Sequence, residues 1–288
     1  MSRIAYVNGR FLPHNSSAIH IEDRAMQFGD GVYEVIAVVG GKLIDVELHY
    51  DRLARSLREL NMEMQIPRVA LHLTVQEVVR RNRIGEGICY LQITRGSAPR
   101  NHAFPSDPRH SVVVTARRSQ PASGRVGRLG VYVITTADLR WQRRDIKSVS
   151  LLPNVLAKQN AAETGAFEAW LVDKNGAVTE GSHSNAWIVN RDGTVITHQE
   201  DVDILSGVTR RRILEIARTD GMEVVEREFT VGEAKDAQEA FLTSTSSFVV
   251  PVTRIDDTVI ADGCPGSVTK RLRCLYLEAI KQPSLVSV

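Results

Sequence analysis

Hydrophobic and polar residues alternate over short segments near the start of the chain, and glycine-containing pairs separate these segments. Asn8-Gly9 lies at one break in the pattern, and Gly40-Gly41 lies at another. Both pairs tolerate the positive φ angles that a two-residue hairpin turn requires. The pattern therefore predicts two β-hairpins, with strands over residues 4–7 and 10–12 and over residues 32–39 and 42–45.

The period of the pattern becomes helical after the second hairpin. Leu53, Leu57 and Leu60 occupy positions i, i+4 and i+7, which form the apolar stripe of an amphipathic helix over 47–60. The hydroxyl-rich segment 241–248 is predicted to be a loop. Similar periodicity predicts further helices over 68–84, 154–165, 207–221 and 266–281. Alternating or apolar runs predict strands over 88–95, 111–116, 126–135, 168–173, 177–181, 185–190, 195–199 and 222–228.

A polar stretch interrupts this pattern and indicates a domain boundary. Residues 118–126 contain Pro121 and Gly124, which favour an irregular linker. The prediction is a small N-terminal domain over 1–117 and a larger C-terminal domain over 127–288. Strands and helices interleave without regular βαβ alternation, which favours two α+β domains over a doubly wound parallel sheet.

The composition is that of a globular protein. Hydrophobic residues make up 43% of the 288 residues and charged residues 24%, which excludes an intrinsically disordered chain. The formal net charge of +2 gives no electrostatic argument for a nucleic-acid or membrane partner. Cys89, Cys264 and Cys274 form no CxxC pair, so neither a disulfide framework nor a metal site is expected. The sequence shows no bilayer-spanning apolar run and no signal peptide, so we expect a cytoplasmic protein.

The sequence lacks the common motifs of dinucleotide, nucleotide, metalloprotease and serine hydrolase sites, namely GxGxxG, GxxxxGKS/T, HExxH and GxSxG. Six segments instead combine glycine, hydroxyl and charged residues, and they are 28–35, 94–105, 145–161, 178–187, 204–214 and 241–248. Backbone N–H groups and a threonine hydroxyl at a helix N-terminus bind phosphate well. Each segment alone is more typical of a turn, an N-cap or a polar loop than of a site, but their combination indicates a ligand site.

Four of these segments resemble those of a known family. DIKSVSLLPNVLAKQNA, VTEGSHSN, LSGVTR and TSTSS occur in the order and at the spacing of class IV aminotransferases, the pyridoxal-phosphate enzymes of fold type IV. The resemblance runs from Tyr6 to the last predicted helix and is greatest to the D-amino acid transaminases. It implies an α+β fold of two α/β domains, with pyridoxal 5′-phosphate in the cleft between them and the cofactor lysine in the C-terminal domain.

The resemblance also implies cofactor roles for individual residues. Lys147 matches the lysine that forms the Schiff base with the cofactor and then transfers the Cα proton. Glu180 matches the carboxylate that keeps the pyridine nitrogen protonated. Leu205 matches a residue that packs on the cofactor ring. The remaining implied contacts of the cofactor, mainly with its phosphate, are Arg52, Val208, Thr209, Ser244 and Thr245.

The residues alone leave simpler interpretations open at four of these positions. Lys147 is also compatible with a solvated surface lysine, and Glu180 with a solvent-exposed glutamate at the end of a hairpin. Arg52 is also compatible with a surface ion pair on its own helix, and Leu205 with an ordinary place in the core. Lys158 lies in the middle of the helix predicted over 154–165 and is interpreted as structural.

Three residues bear on the substrate. Tyr33, Arg100 and His102 match the carboxylate-binding residues of D-amino acid transaminases, in which a planar guanidinium binds the carboxylate bidentately. The resemblance therefore implies ping-pong transamination of a D-amino acid such as D-alanine with 2-oxoglutarate, giving pyruvate and D-glutamate. A branched-chain L-amino acid aminotransferase and an aminodeoxychorismate lyase are the alternatives. The Arg100 loop reaches the neighbouring subunit in this family, which implies a homodimer.

Overall fold

Residues with positive φ make the first two hairpins tight. Asn8 and Gly9 have φ values of 46° and 90°, and Gly40 and Gly41 have values of 56° and 77°. These angles match the twist of paired strands, so both predicted hairpins are confirmed. The strands that they join are β1 (Ile4–Val7) with β2 (Arg10–Pro13) and β3 (Gly31–Val39) with β4 (Lys42–Leu43).

The structure is a computed structural model that describes residues 3–120 and 125–281. The chain divides into two compact units. The first takes the described residues up to 120 together with Ile146–Ser150, and the second takes the other described residues. Residues 121–124 of the predicted linker lie outside the described residues, so the domain boundary stays a prediction. No helix in the described ranges has the length and apolar character needed to cross a bilayer.

The first unit is an antiparallel sheet with helices. Its described part holds six strands in the order β2-β1-β6-β5-β3-β4. Leu53 and Leu57 are buried in one core cluster with Val32 and Ile36, as the helical stripe predicts. The elements not yet named are α1 (Arg24–Phe28), α2 (Val46–Glu59), α3 (Arg68–Arg81), β5 (Gly87–Thr94) and β6 (Ser111–Arg118).

The segment Ile146–Ser150 pairs with the first unit through backbone hydrogen bonds. The N–H of Tyr33 donates to the carbonyl of Lys147 at 3.0 Å, and the N–H of Val149 donates to the carbonyl of Gly31 at 3.0 Å. Ser148 thereby forms an antiparallel bridge with Val32 of β3. The sequence predicts Lys147 in the C-terminal domain, whereas its segment is grouped with the first unit because it pairs with β3.

The second unit is a mixed sheet. Nine strands of its described part form this sheet, in the order β12-β11-β10-β13-β14-β7-β8-β9 with β15 paired to β14. The strands are β7 (Val131–Ala137), β8 (Glu168–Val172), β9 (Val178–Gly181), β10 (Asn185–Val189), β11 (Val195–Thr197), β12 (Val224–Glu226), β13 (Glu239–Ser244), β14 (Phe248–Ile255) and β15 (Thr258–Val259). The helices are α4 (Arg125–Leu129), α5 (Leu152–Glu163), α6 (Val208–Thr219), α7 (Val231–Asp236) and α8 (Ser267–Ala279).

Two local predictions in this unit are wrong. The strand predicted over 126–135 begins only at Val131, because α4 occupies the preceding residues and Gly130 leaves it with a φ of 74°. The loop predicted over 241–248 consists largely of β13 and β14, which pair along their length. Only residues 245–247 form a turn there. Pairing with neighbouring strands therefore outweighs the hydroxyl-rich composition of this segment.

Glu239 at the start of β13 caps α8. Its carboxylate accepts hydrogen bonds from the N–H groups of Val268 at 2.9 Å and Thr269 at 2.8 Å. These amides belong to the first turn of α8, which has no partner for them within the helix. Gly266 makes the approach possible, because a Cβ there would lie 1.9 Å from the Glu239 side chain.

We expect Glu239→Ala to lower the free energy of unfolding by about 1–3 kcal/mol, because it leaves buried amide donors without an acceptor. Urea unfolding followed by circular dichroism measures the effect. Glu223→Ala is the matched control, since Glu223 is exposed, and it should change the free energy by less than about 0.5 kcal/mol. Equal unfolding midpoints for the two variants would contradict the capping role.

Candidate active site

Lys147 lies beside the aromatic ring of Tyr33. Its Nζ is 4.3 Å from the ring centroid, and its own N–H donates to the hydroxyl of the buried Ser56 at 3.3 Å. Tyr33 in turn stacks on Tyr90, with the ring centroids 5.6 Å apart. Among the residues that the structure describes, no carboxylate lies within ion-pair distance of Lys147. Backbone contacts therefore hold the main chain of Lys147, and the amine itself contacts the Tyr33 ring rather than a counter-ion.

Arg52 is buried and paired with a carboxylate of β3. Its Nε and Nη2 donate to the two carboxylate oxygens of Glu34 at 2.8 Å and 2.7 Å, and the Nδ1–H of His49 donates to Glu34 at 2.7 Å. Burial raises the pKa of Glu34, but Arg52 and His49 outweigh it and bring the pKa from 4.5 down to about 2. Burial lowers the pKa of His49, against the opposing effect of Glu34. The surface interpretation of Arg52 is wrong, because Glu34 holds its guanidinium in the interior.

Arg100 and His102 lie in the exposed loop between β5 and β6. The guanidinium carbon of Arg100 is 4.8 Å from the centroid of the Phe28 ring, and the His102 ring centroid is 5.2 Å from the same centroid. Phe28 is the last residue of α1, so one helix end supports both side chains. Within the described residues, Tyr33 makes ring contacts with Tyr90 and Lys147 but none with Arg100 or His102. The structure thus brings together two of the three predicted carboxylate-binding residues.

Glu180 is a buried carboxylate that accepts hydrogen bonds from three residues. Arg140 donates to it through Nη1, Asn185 donates through Nδ2 at 3.1 Å, and the N–H of Leu205 donates at 3.2 Å. Burial raises the pKa of Glu180 above 4.5, and the Arg140 guanidinium opposes that rise. These donors fix the plane of the carboxylate.

Asp138 balances the charge of Arg140. Its carboxylate accepts from Nε of Arg140 at 2.9 Å, from Nη2 at 2.7 Å and from the Thr179 hydroxyl at 2.8 Å. Asp138 also pairs with Nε of Arg144 at 3.3 Å, so it links two guanidinium groups and holds Arg140 beside Glu180. Neither Asp138 nor Arg140 was predicted as a site residue, since the contact between Arg140 and Glu180 joins residues 40 positions apart.

The N-terminus of α6 has no side-chain cap. Its N-cap is Gly207, which supplies no side-chain acceptor for the first-turn amides. A Cβ at Gly207 would lie 2.0 Å from Oδ1 of Asn185, so no larger residue fits there without a shift. Val208 and Thr209 are the first helical residues, and both are buried. Amide donors at a helix N-terminus attract phosphate.

The other predicted cofactor residues of the second unit lie in a loop, at the end of a strand and in a turn. Leu205 is only half-buried, so an ordinary core position does not describe it. Its backbone joins two site residues, because its N–H donates to Glu180 and its carbonyl accepts from Asn185 at 3.0 Å. Ser244 ends β13 and accepts the N–H of Ser247 on its hydroxyl at 3.2 Å, while Thr245 lies half-buried in the turn that follows.

The chemistry of these groups fits pyridoxal 5′-phosphate. A primary amine without a carboxylate partner suits the aldehyde, and a buried carboxylate suits a protonated ring nitrogen. The α6 amides suit a phosphate dianion, as do the hydroxyls of Thr209, Ser244 and Thr245. The structure shows where each donor lies within its own unit, and we propose the contact of each donor with the cofactor.

Comparison with known proteins agrees with this chemistry. The family described as Amino-transferase class IV matches residues 31–255. A D-alanine aminotransferase of Staphylococcus epidermidis is 38% identical over 280 residues, which cover 97% of this chain and 99% of that protein.

Two solved structures share the fold. One is a branched-chain amino acid aminotransferase of T.th. with pyridoxamine 5′-phosphate, at 29% identity and a TM-score of 0.91, covering 98% of this chain and 96% of that one. The other is a 4-amino-4-deoxychorismate lyase from Pseudomonas aeruginosa, at 25% identity and a TM-score of 0.82, covering 96% of this chain and 100% of that one. The match to the family covers most of the chain, and both the α+β fold and the cofactor predicted from the sequence are confirmed. The chain therefore belongs to the class IV aminotransferase family, and it is an aminotransferase that uses pyridoxal 5′-phosphate.

Proposed function

We propose that this enzyme transfers the amino group of a D-amino acid, with D-alanine as the representative donor, to 2-oxoglutarate, giving pyruvate and D-glutamate. The observation that carries the proposal is the presentation of Arg100 and His102 together on the ring of Phe28. A guanidinium beside an imidazole is a strong receptor for an α-carboxylate. The 38% identity to a D-alanine aminotransferase supports the same specificity for D-amino acids.

Lys147 is the proposed catalytic base and acid. When bound, pyridoxal 5′-phosphate supplies an aldehyde that takes up the amino group and a conjugated ring that accepts the electrons of the Cα–H bond. With the cofactor bound, Nζ of Lys147 would move a proton from Cα of the donor to C4′ of the cofactor, and in the second half-reaction it would move a proton from C4′ back to Cα of the oxo acid. The Tyr33 ring, 4.3 Å from Nζ, limits where that amine points. Because the amine is fixed, it removes the proton from one face of the substrate only, which makes the reaction specific for one enantiomer.

Glu180 holds a proton on the ring nitrogen. A carboxylate next to a pyridine nitrogen raises the pKa of that nitrogen, so the ring remains a good electron acceptor. Arg140 and Asn185 orient Glu180 by donating to it, and Asp138 offsets the charge of Arg140. The N–H of Leu205 donates to the same carboxylate, which supports the proposed packing of Leu205 on the ring.

The phosphate is held by neutral donors and one guanidinium. The N–H groups of Val208 and Thr209 at the α6 N-terminus are the proposed principal donors, and Ser244 and Thr245 add hydroxyls. Arg52 supplies the charge, and its pairing with Glu34 fixes the direction of its guanidinium before the cofactor arrives. Less side-chain freedom is then lost on binding.

Tyr33, Arg100 and His102 are the proposed receptors of the α-carboxylate. With the amine of Lys147 fixed, the side that receives the carboxylate decides whether a D- or an L-amino acid presents its Cα–H. We also propose a homodimer in which the loop carrying Arg100 serves the partner subunit. A cytoplasmic location stays a prediction.

Coupled assays on the holoenzyme test this function. We expect activity with D-alanine and 2-oxoglutarate and none with L-leucine and 2-oxoglutarate. Arg100→Leu should raise the KM for D-alanine by about 10- to 100-fold, because it removes a charged hydrogen bond to the carboxylate. Arg109→Leu makes the same change at another exposed position of the same loop and should leave KM unchanged.

Activity with L-leucine alone would make the enzyme a branched-chain aminotransferase and contradict the proposed hand. Pyruvate released from aminodeoxychorismate without any oxo acid acceptor would instead identify a lyase. Equal KM values for the two arginine variants would remove Arg100 from the substrate site even if D-alanine is the donor.

The Glu34–Arg52 pair predicts how stability depends on pH. The folded-state pKa of Glu34 is about 2 against an ordinary 4.5, so the unfolded chain takes up the proton first as the pH falls. The part of the folding free energy that depends on the ionisation of Glu34, about 3 kcal/mol from the shift, is complete above pH 4.5 and lost as the pH falls toward about 2. Glu34→Gln should therefore be less stable than the wild type at neutral pH. Its free energy of unfolding should fall less than that of the wild type between pH 4.5 and about pH 2.

Urea unfolding at neutral pH and at about pH 3 measures this difference. Glu77→Gln is the matched control, because the pKa of Glu77 is also lowered to about 2, by Arg80 and Arg81, although Glu77 pairs with them at the surface. Exposed pairs contribute little to stability. A pH dependence that changes equally in both variants would contradict the role of the buried pair.

A further inference from the structure

One arginine of α1 holds the backbone of the loop that carries Arg100 and His102. Arg24 is charged yet only 3% exposed. Its Nη1 donates to the carbonyls of Asn101 at 2.6 Å and Ala103 at 3.3 Å, and its Nη2 donates to the carbonyl of His102 at 3.4 Å. A single guanidinium therefore binds the carbonyls of three consecutive residues. They are Asn101, which directly follows Arg100, then His102 itself and Ala103.

Arg24 is itself fixed by a carboxylate. Its Nε donates to Asp30 at 2.8 Å, and Asp30 also accepts from Nε of Arg95 at 2.8 Å. Arg95 continues to the carbonyls of Leu60 at 2.6 Å and Asn61 at 3.2 Å, just beyond the end of α2. The loop is thus connected to the folded body of its unit through a continuous chain of charged hydrogen bonds.

The helix that carries Arg24 is short but closed at both ends. Asp23 accepts the N–H of Ala25 at 2.9 Å and the hydroxyl of Thr94 at 2.9 Å, and the N–H of Arg24 donates to the carbonyl of Gly96 at 2.9 Å. Gly29 ends the helix with a φ of 67°. These contacts leave α1 little freedom to shift relative to β5.

Phe28 supports the side chains themselves. The guanidinium carbons of Arg24 and Arg100 are 4.7 Å and 4.8 Å from its ring centroid, and the His102 ring lies 5.2 Å away. A guanidinium near an aromatic ring is attracted by its quadrupole. Arg100 and His102 are otherwise exposed, so this ring restricts the directions that they adopt.

We infer that Arg24 and Phe28 are positioning residues that set the place of Arg100 and His102 and thereby the affinity of the enzyme for the substrate α-carboxylate. This inference rests on the proposed function. Arg24 binds the loop backbone and Asp30 rather than the reacting atoms, so its loss should act on binding of the carboxylate. A displacement of about 1 Å at a binding group costs up to about 100-fold in rate or affinity.

Steady-state kinetics of holoenzyme variants test the inference. Arg24→Gln and Phe28→Leu should each raise the KM for D-alanine at least about 10-fold, while kcat changes much less. Arg24→Lys should lie between Arg24→Gln and the wild type, because an ammonium group keeps the charge beside Asp30 but cannot bind the carbonyls in the same fork. If Arg24→Gln fails to fold, Phe28→Leu still provides the KM measurement.

Asn82→Ala is the matched control for a purely structural loss. The Asn82 side chain also joins three backbone groups of the first unit, since it accepts from the N–H of Ile4 and donates to the carbonyls of Ile4 and Val78. It should lower the melting temperature as Arg24→Gln does, but leave the KM unchanged. A KM that rises equally in Asn82→Ala would overturn the positioning role, because the rise would then reflect general destabilisation.

The double variant Arg24→Gln/Arg100→Leu separates this inference from the proposed function. If Arg24 acts through Arg100, the double variant should have nearly the KM of Arg100→Leu alone. A raised KM in Arg100→Leu with an unchanged KM in both Arg24→Gln and Phe28→Leu would overturn the inference and leave the proposed function intact. An unchanged KM in Arg100→Leu would overturn both this inference and the proposed binding of the carboxylate by Arg100, while activity with D-alanine would still decide the donor.

Discussion

The backbone pairing of Lys147 with β3 is the constraint on which the rest of the site depends. The N–H of Tyr33 donates to the Lys147 carbonyl, and Val149 returns a bond to Gly31. These two backbone hydrogen bonds fix the position of the lysine as closely as that of a strand residue, although it lies outside the helices and strands. Successive side chains of a strand point to opposite faces. Tyr33 therefore meets Lys147, whereas Glu34 is buried against α2, where it meets Arg52.

Buried carboxylate–arginine pairs are the second feature that organises the site. Glu34 pairs with Arg52 in one unit, and Asp138 pairs with Arg140 in the other. Such pairs contribute little net stability, but removing one partner leaves an uncompensated buried charge. Their value here is orientation. Glu34 directs Arg52, and Asp138 holds Arg140 where it donates to Glu180.

Local chemistry explains which parts of the fold were predictable. The turn at Asn8-Gly9 depends on its own φ angles, and the helix over 47–60 depends on an apolar stripe, so both follow from neighbouring residues. The strand at 241–248 depends on pairing with distant strands, and its serines and threonines favour a loop when considered alone. The site divides in the same way. Motifs identify Lys147 and Glu180, but Arg24 acts on Asn101, 77 residues away, and no local pattern reveals that contact.

Exchange of the Cα hydrogen tests the central claim most directly, since it reports on the fixed amine of Lys147 and the hand of the substrate together. The holoenzyme is incubated in heavy water with D-alanine or L-alanine and without an oxo acid, and deuterium at Cα is measured by mass spectrometry. The account predicts exchange in D-alanine alone, its loss in Lys147→Ala, and its retention in Lys158→Ala, whose lysine binds the carbonyl of Phe167 instead. Exchange in L-alanine, or undiminished exchange in Lys147→Ala, would contradict it.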